Sequence, residues 1–182
     1  MLKRDTGRAG TSALELLHAA VTAMAAASSL PGAASSFLRE VCPRIVARRG
    51  VVWAVDADEI TARCVGSWQH ASAPVAASGV VVQPSWVSTD ASAESGESPG
   101  DTVPLRSLLP TEGAPTRLVA AHAAGMTGSG TFPLRFGGPV VGVLEVWRAG
   151  SPLDLETRRA IETAAVCLAY WLRHDAAVMA SP

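Results

Sequence analysis

Thr131-Phe132-Pro133-Leu134-Arg135-Phe136-Gly137-Gly138-Pro139-Val140-Val141-Gly142-Val143-Leu144-Glu145-Val146-Trp147-Arg148 is the stretch from which the fold is read. Two apolar runs, Thr131 to Phe136 and Val140 to Arg148, flank a glycine pair that can take the positive φ angles of a tight turn, which predicts an antiparallel hairpin. Side chains alternate along a strand, so unbroken alternation sets Val140, Gly142, Leu144 and Val146 on one face and Val141, Val143, Glu145 and Trp147 on the other. The wholly apolar face is expected to lie beneath helices. Burying Glu145 there without a partner would cost several kcal/mol.

Working outward, Val51 to Val55 is a continuous apolar run, Asp56 to Glu59 a polar turn, and Ile60, Ala62 and Cys64 alternate with Thr61, Arg63 and Val65, giving a second hairpin with Trp68 on its end. A helix is expected from Ser12 to about Ser28, where Leu14, Leu17, Val21 and Met24 recur at helical spacing. Leu30-Pro31-Gly32 punctuates the chain before a second helix through Phe37, Leu38, Val41 and Ile45, ending at Arg48-Arg49-Gly50 and kinked or shortened by Pro43. A last helix starts near Asp154 and carries Ile161, Ala165, Leu168 and Leu172 on one stripe. Between the hairpins lies an irregular excursion. It holds a short strand at Val80 to Gln83, a polar tract from Ser88 to Gly100, a short helix at Val103 to Pro110, a turn at Thr111 to Ala114, and a strand near Arg117 to Ala120.

Strands joined by tight turns are antiparallel, and helices gathered at the two ends of the chain cover one face of the sheet. The fold class is therefore α+β: an antiparallel β-sheet with N- and C-terminal helices on one face and the irregular loop and short-helix excursion on the other. Residues 1–11 are expected as a flexible tail, 12–174 as the domain and 175–182 as a C-terminal tail.

Composition excludes several classes of function. The 182 residues are 48% hydrophobic, which rules out disorder throughout, and 15 basic against 16 acidic side chains leave a net charge of −1, without the basic excess that a nucleic-acid binder needs. The charge-free run from Ala19 to Leu38 is broken by Pro31 and Gly32, so it reads as neither a membrane span nor a signal. Cys42, Cys64 and Cys167 form no disulfide framework or Cys-x-x-Cys motif, which points to a reducing, cytoplasmic setting. His18, His70, His122 and His174 show no metal-ligand spacing, so no metal is expected. Gly125, Gly128 and Gly130 lead into a strand with no Lys-Ser or Lys-Thr after them and read as a turn, not a phosphate loop.

In order and spacing, several motifs resemble those of GAF domains, the small sensory modules of signalling proteins, and above all those of bacterial multi-domain histidine kinases. Phe132-Pro133-Leu134, the glycine turn and Gly142-Val143-Leu144-Glu145 are similar to the family's terminal hairpin. Gly100-Asp101 resembles its glycine-containing segment, Thr111-Glu112-Gly113-Ala114-Pro115 its threonine-glycine-x-proline turn, and Ala120 to Gly125 the small-residue helix before the hairpin. Pro104-Leu105 departs from the family pattern, in which a second glycine is common. The resemblance implies a non-catalytic sensory or regulatory domain in signal transduction, binding a small molecule or partner and signalling through its terminal helices to an effector protein. It also allows an enzyme of the same fold, of the reductase type, whose chemistry needs cysteines beside the pocket; the excursion supplies none, either for that reaction or to anchor a bilin.

Trp53, Trp68, Phe132, Glu145 and Trp147 are the candidate ligand-binding residues: the aromatics would contact a flat or apolar ligand and Glu145 would orient it. No cofactor is identified. The alternative is that these side chains fill a second small core with no ligand, which would make the chain a dimerisation module. Ala164 to Leu172 contains no charged residue, and the first helix is likewise apolar around most of its circumference. The two terminal helices are therefore expected to pack together and to form a homodimer, the alternative being two Ala-rich helices of a monomer.

Overall fold

The computed structural model describes residues 12–70, 99–109 and 116–179. Helix α1 (Ala13–Ala25) opens on a capping box in which Ser12 Oγ accepts from the Glu15 amide and the Glu15 carboxylate accepts from the Ser12 amide. Its buried stripe is Leu16, Ala20 and Met24. The expected repeat of Leu14 and Val21 instead faces outward, with Leu14 74% exposed.

Helix α2 (Leu30–Arg44) begins where a break was expected. Ser29 caps it by accepting from the Gly32 amide, and Pro31 occupies the first turn, where its missing N–H is no loss. It ends at Arg44, before the Arg48-Arg49-Gly50 signature. Val46 then takes a φ of 55° as the chain turns, and the Ala47 amide donates back to the Cys42 carbonyl at 2.8 Å.

The sheet holds β1 (Arg49–Val55), β2 (Thr61–Gln69), β3 (Thr102–Pro104), β4 (Gly130–Arg135) and β5 (Val140–Trp147), in the spatial order β3-β2-β1-β5-β4 with antiparallel neighbours throughout. Of Val103 to Pro110, expected as a short helix, the described part, to Leu109, is edge strand β3 followed by a single 3₁₀ turn at Leu105–Ser107, and Pro110 lies outside the described residues. Arg117 to Ala120, expected as a strand, belongs to helix α3 (Thr116–Ala123). The expected strand at Val80 to Gln83, most of the Ser88 to Gly100 tract and the Thr111 to Ala114 turn lie outside the described residues. Helix α4 runs from Leu155 to Met179, so 175–179 are helical rather than the start of a tail.

One core joins α1, α2 and α4 to a single face of the sheet. Met24, Phe37, Leu38, Val41, Ile161, Leu168 and Leu172 meet Val52, Val65, Phe132, Leu134, Leu144 and Val146 there. The terminal helices α1 and α4 thus pack together as expected. Helix α2 approaches β2 so closely at Gly66 that an added Cβ would sit 2.8 Å from the Ala34 methyl, leaving no room for any other residue. Among the described residues, no helix is long and apolar enough to cross a membrane.

Two β-bulges set which side chains face which way. Leu134 pairs with Gly142 but Arg135 with Val140, so Val141 is an extra residue in β5. Val52 pairs with Gly66 but Trp53 with Cys64, so Val65 is an extra residue in β2. Each bulge reverses the alternation beyond it. Val141 consequently packs on the helix side and Val140 on the other, the reverse of the period-two expectation.

Candidate functional site

The sheet face opposite the helices divides into two halves. One is apolar: Val51, Trp53, Ala62, Cys64 and Val143 are covered by Leu108, with Val103, Leu105, Leu109 and Val140 packed around them. The other is charged and is built on the register that sets Arg49 opposite Trp147 and Val51 opposite Glu145. Helix α3 brings Arg117 onto this half.

Glu145 is 1% exposed and has two partners. Arg117 Nε donates to its Oε1 at 3.2 Å and its Oε2 at 3.0 Å, and Trp53 Nε1 donates to Oε2 at 2.8 Å. These bonds answer the desolvation cost of burying a carboxylate, and the sequence signal for Arg117 was that same cost: a strand carboxylate turned inward requires a cation. The Arg117 guanidinium also lies over two indoles, 5.1 Å from the Trp53 ring centre and 5.7 Å from that of Trp147. Arg49 covers Trp147 as well, at 5.3 Å. Burial, followed by the nearby Arg117 charge, pulls the Arg49 guanidinium down to about 10.

Of the five sequence-derived candidates, Trp53, Glu145 and Trp147 come together here. Phe132 and Trp68 do not. Phe132 pairs with Leu144 and is buried in the helix-side core, where Arg158 lies 5.2 Å from its ring centre. Trp68 is half-buried against the same core and meets the His70 ring edge-on at 6.1 Å. The bulges at Val141 and Val65 turn each ring to the face opposite the one that unbroken alternation would give it. Arg117 and Arg49 were not among the candidates.

The cysteines are divided by the sheet. Cys64 is buried on the charged and apolar face, while Cys42 and Cys167 belong to the helix side. All three are free thiols. Burial pushes the Cys42 thiol up to about 12 and raises that of Cys64. Among the described residues, no three His, Cys, Asp or Glu side chains gather as a metal site.

No protein-family model and no curated protein matches the sequence. Solved structures do match the fold. The GAF domain of a phosphoenolpyruvate-protein phosphotransferase from Acinetobacter aligns over 92% of this chain and 96% of its own, at 13% identity and a TM-score of 0.64. The corresponding domain from Coxiella burnetii aligns over 96% and 100%, at 12% identity and a TM-score of 0.60. The chromophore-binding domain of the bacteriophytochrome RpBphP3 from R. palustris aligns over 91% of this chain and 62% of its own, at 13% identity and a TM-score of 0.58. The chain has the fold of a GAF domain.

Proposed function

We propose that this chain is a cytoplasmic sensory or regulatory domain without catalysis of its own, which binds a small molecule or partner on the charged sheet face and signals through α1 and α4 to an effector protein. The observation that carries the reading is the buried cluster of Arg117, Glu145, Trp53 and Trp147. It concentrates charge and indole surface on the face opposite the terminal helices, where loops over a rigid sheet favour binding. The likeness to GAF domains of sensory and phosphotransferase proteins supports the same role. Separation of Cys64 from Cys42 and Cys167 by the sheet argues against a dithiol reductase. The test is titration with nucleotides, haem and tetrapyrroles while following tryptophan fluorescence, in the wild type and in Glu145→Gln. A saturable change that Glu145→Gln weakens supports the reading; an unchanged signal favours a closed structural cluster, as does the near-complete burial of Arg117 and Glu145.

Homodimerisation is part of the proposal. Leu14 and Leu17 of α1 and Leu155, Ala160 and Thr163 of α4 line a groove of about 450 Å³, flanked by Glu156 and Arg159. A two-fold mate could fill it with the same leucines and pair those opposite charges. Sedimentation showing a monomer at high micromolar concentration would exclude the dimer.

A further inference from the structure

The outer surface of α4 carries a second apolar feature, on a different side from the α1 groove. Val166 is 56% exposed and Tyr170 57% exposed, and the turn between β4 and β5 adds Phe136, 39% exposed. Phe136 and Tyr170 meet edge-on at 6.1 Å, and Tyr170 lies 6.3 Å from the His174 ring, so three rings run in a row from the hairpin turn along the helix. Beside them, β4 and α4 enclose a cleft of about 210 Å³ lined by Phe132, Pro133, Leu134, Arg135, Ala165 and Val166 together with Glu162. Among the described residues strand β4 is a sheet edge, and Pro133 lacks the N–H needed to extend a ladder there. The cleft therefore suits side chains rather than an added strand.

The rim is basic. Arg135, Arg173 and His174 are exposed around the ring row. Glu162, the one carboxylate among the described residues lining the cleft, accepts from Arg158 Nε at 3.0 Å, so its charge is partly offset by a neighbouring guanidinium. Asp175 lies nine residues beyond Val166, half a turn away around the helix. A second copy on this surface would oppose arginines to arginines, which disfavours self-association here and favours a partner of opposite charge.

We infer that the surface formed by Phe136, Val166 and Tyr170 with Arg135 and Arg173 docks an acidic amphipathic segment of a partner protein, whose apolar side chains enter the cleft and whose carboxylates meet the arginines. This is independent of any ligand on the opposite sheet face. The test is to pan a random peptide display library on the full chain with counter-selection on a Tyr170→Ala/Arg173→Glu variant. The enriched peptides are expected to combine apolar residues with Asp or Glu. One synthesised from that set should bind about tenfold more weakly to Tyr170→Ala and to Arg135→Glu, and more weakly at raised salt. These side chains are exposed, so circular dichroism melting should show the variants folded. The inference is overturned if no peptide survives counter-selection, if survivors lack carboxylates, or if the substitutions leave binding unchanged. It is also overturned if Tyr170→Ala abolishes self-association, or if anionic phosphatidylserine vesicles bind through these residues and the peptides do not.

Discussion

Arg117 Nε stands 3.0 Å from Glu145 Oε2, and each residue is 1% exposed, so this ion pair between α3 and β5 is a core interaction made of charges. Removing Arg117 takes away the guanidinium that hydrogen-bonds the buried Glu145 carboxylate and leaves it the neutral Trp53 N–H, which does not balance its charge. Arg117→Met is expected to destabilise the protein by about 3 to 5 kcal/mol, whereas Arg117→Met combined with Glu145→Leu should recover most of the loss. Urea unfolding of Arg117→Met, Glu145→Leu and the double variant checks this; a double-variant loss equal to the sum of the two single losses would show that the pair contributes no coupling.

Val46 tests a strained turn. A β-branched residue at a φ of 55° costs energy that glycine avoids, and Val46 is 65% exposed, so little packing is lost by removing its side chain. Val46→Gly is expected to stabilise by about 1 kcal/mol, raising Tm by roughly 2 to 4 °C. A lowered Tm would contradict the prediction.

Asp154 caps α4 by accepting from the Thr157 amide at 2.8 Å and the Thr157 hydroxyl at 2.8 Å. Those bonds hold its carboxyl below the ordinary aspartate value, the amide contributing most. A depressed folded-state value contributes stability that is present above the unfolded value, near pH 4, and is lost as pH falls through the folded one. Asp154→Asn keeps an acceptor at the cap without the titration. Wild type should therefore melt higher than Asp154→Asn at pH 6, with the difference shrinking toward pH 3 in melting curves.

Thiol labelling should follow burial. Cys42 is fully buried with its thiol pushed up to about 12, and Cys64 is buried with its thiol raised, whereas Cys167 is half-buried on α4. Iodoacetamide at pH 8 is expected to modify Cys167 first, and Cys42 and Cys64 only at the rate of unfolding. Rapid native modification of Cys42 would contradict the packing of α2 on the sheet.

Both hairpins, the helix-bearing face and the inward turn of Glu145 were legible because they rest on period-two and helical patterns and on the cost of burying charge. Phe132 and Trp68 were misplaced because a bulge has no signature in hydropathy: inserting Val65 or Val141, both apolar, leaves the run looking continuous while exchanging the faces of the residues beyond it. Arg117 was missed because Thr116 to Ala123 is short and rich in small residues, too weak a pattern to establish a helix without the tertiary contact that α3 makes with β5. The start of α2 was hidden in the same way. Pro31 and Gly32 look like a break until Ser29 caps them.

Strand β5 has a mechanical consequence. Glu145 belongs to the charged cluster, while its chain neighbours Leu144 and Val146 are 0% exposed beneath the helices. The two compartments are thus one peptide unit apart, and close-packed interiors do not absorb displacement by deforming continuously. On the proposed reading, a ligand that displaced the Glu145 carboxylate would shift the floor on which α4 rests, and the sheet would act as a stiff diaphragm rather than as a wall between its two sides.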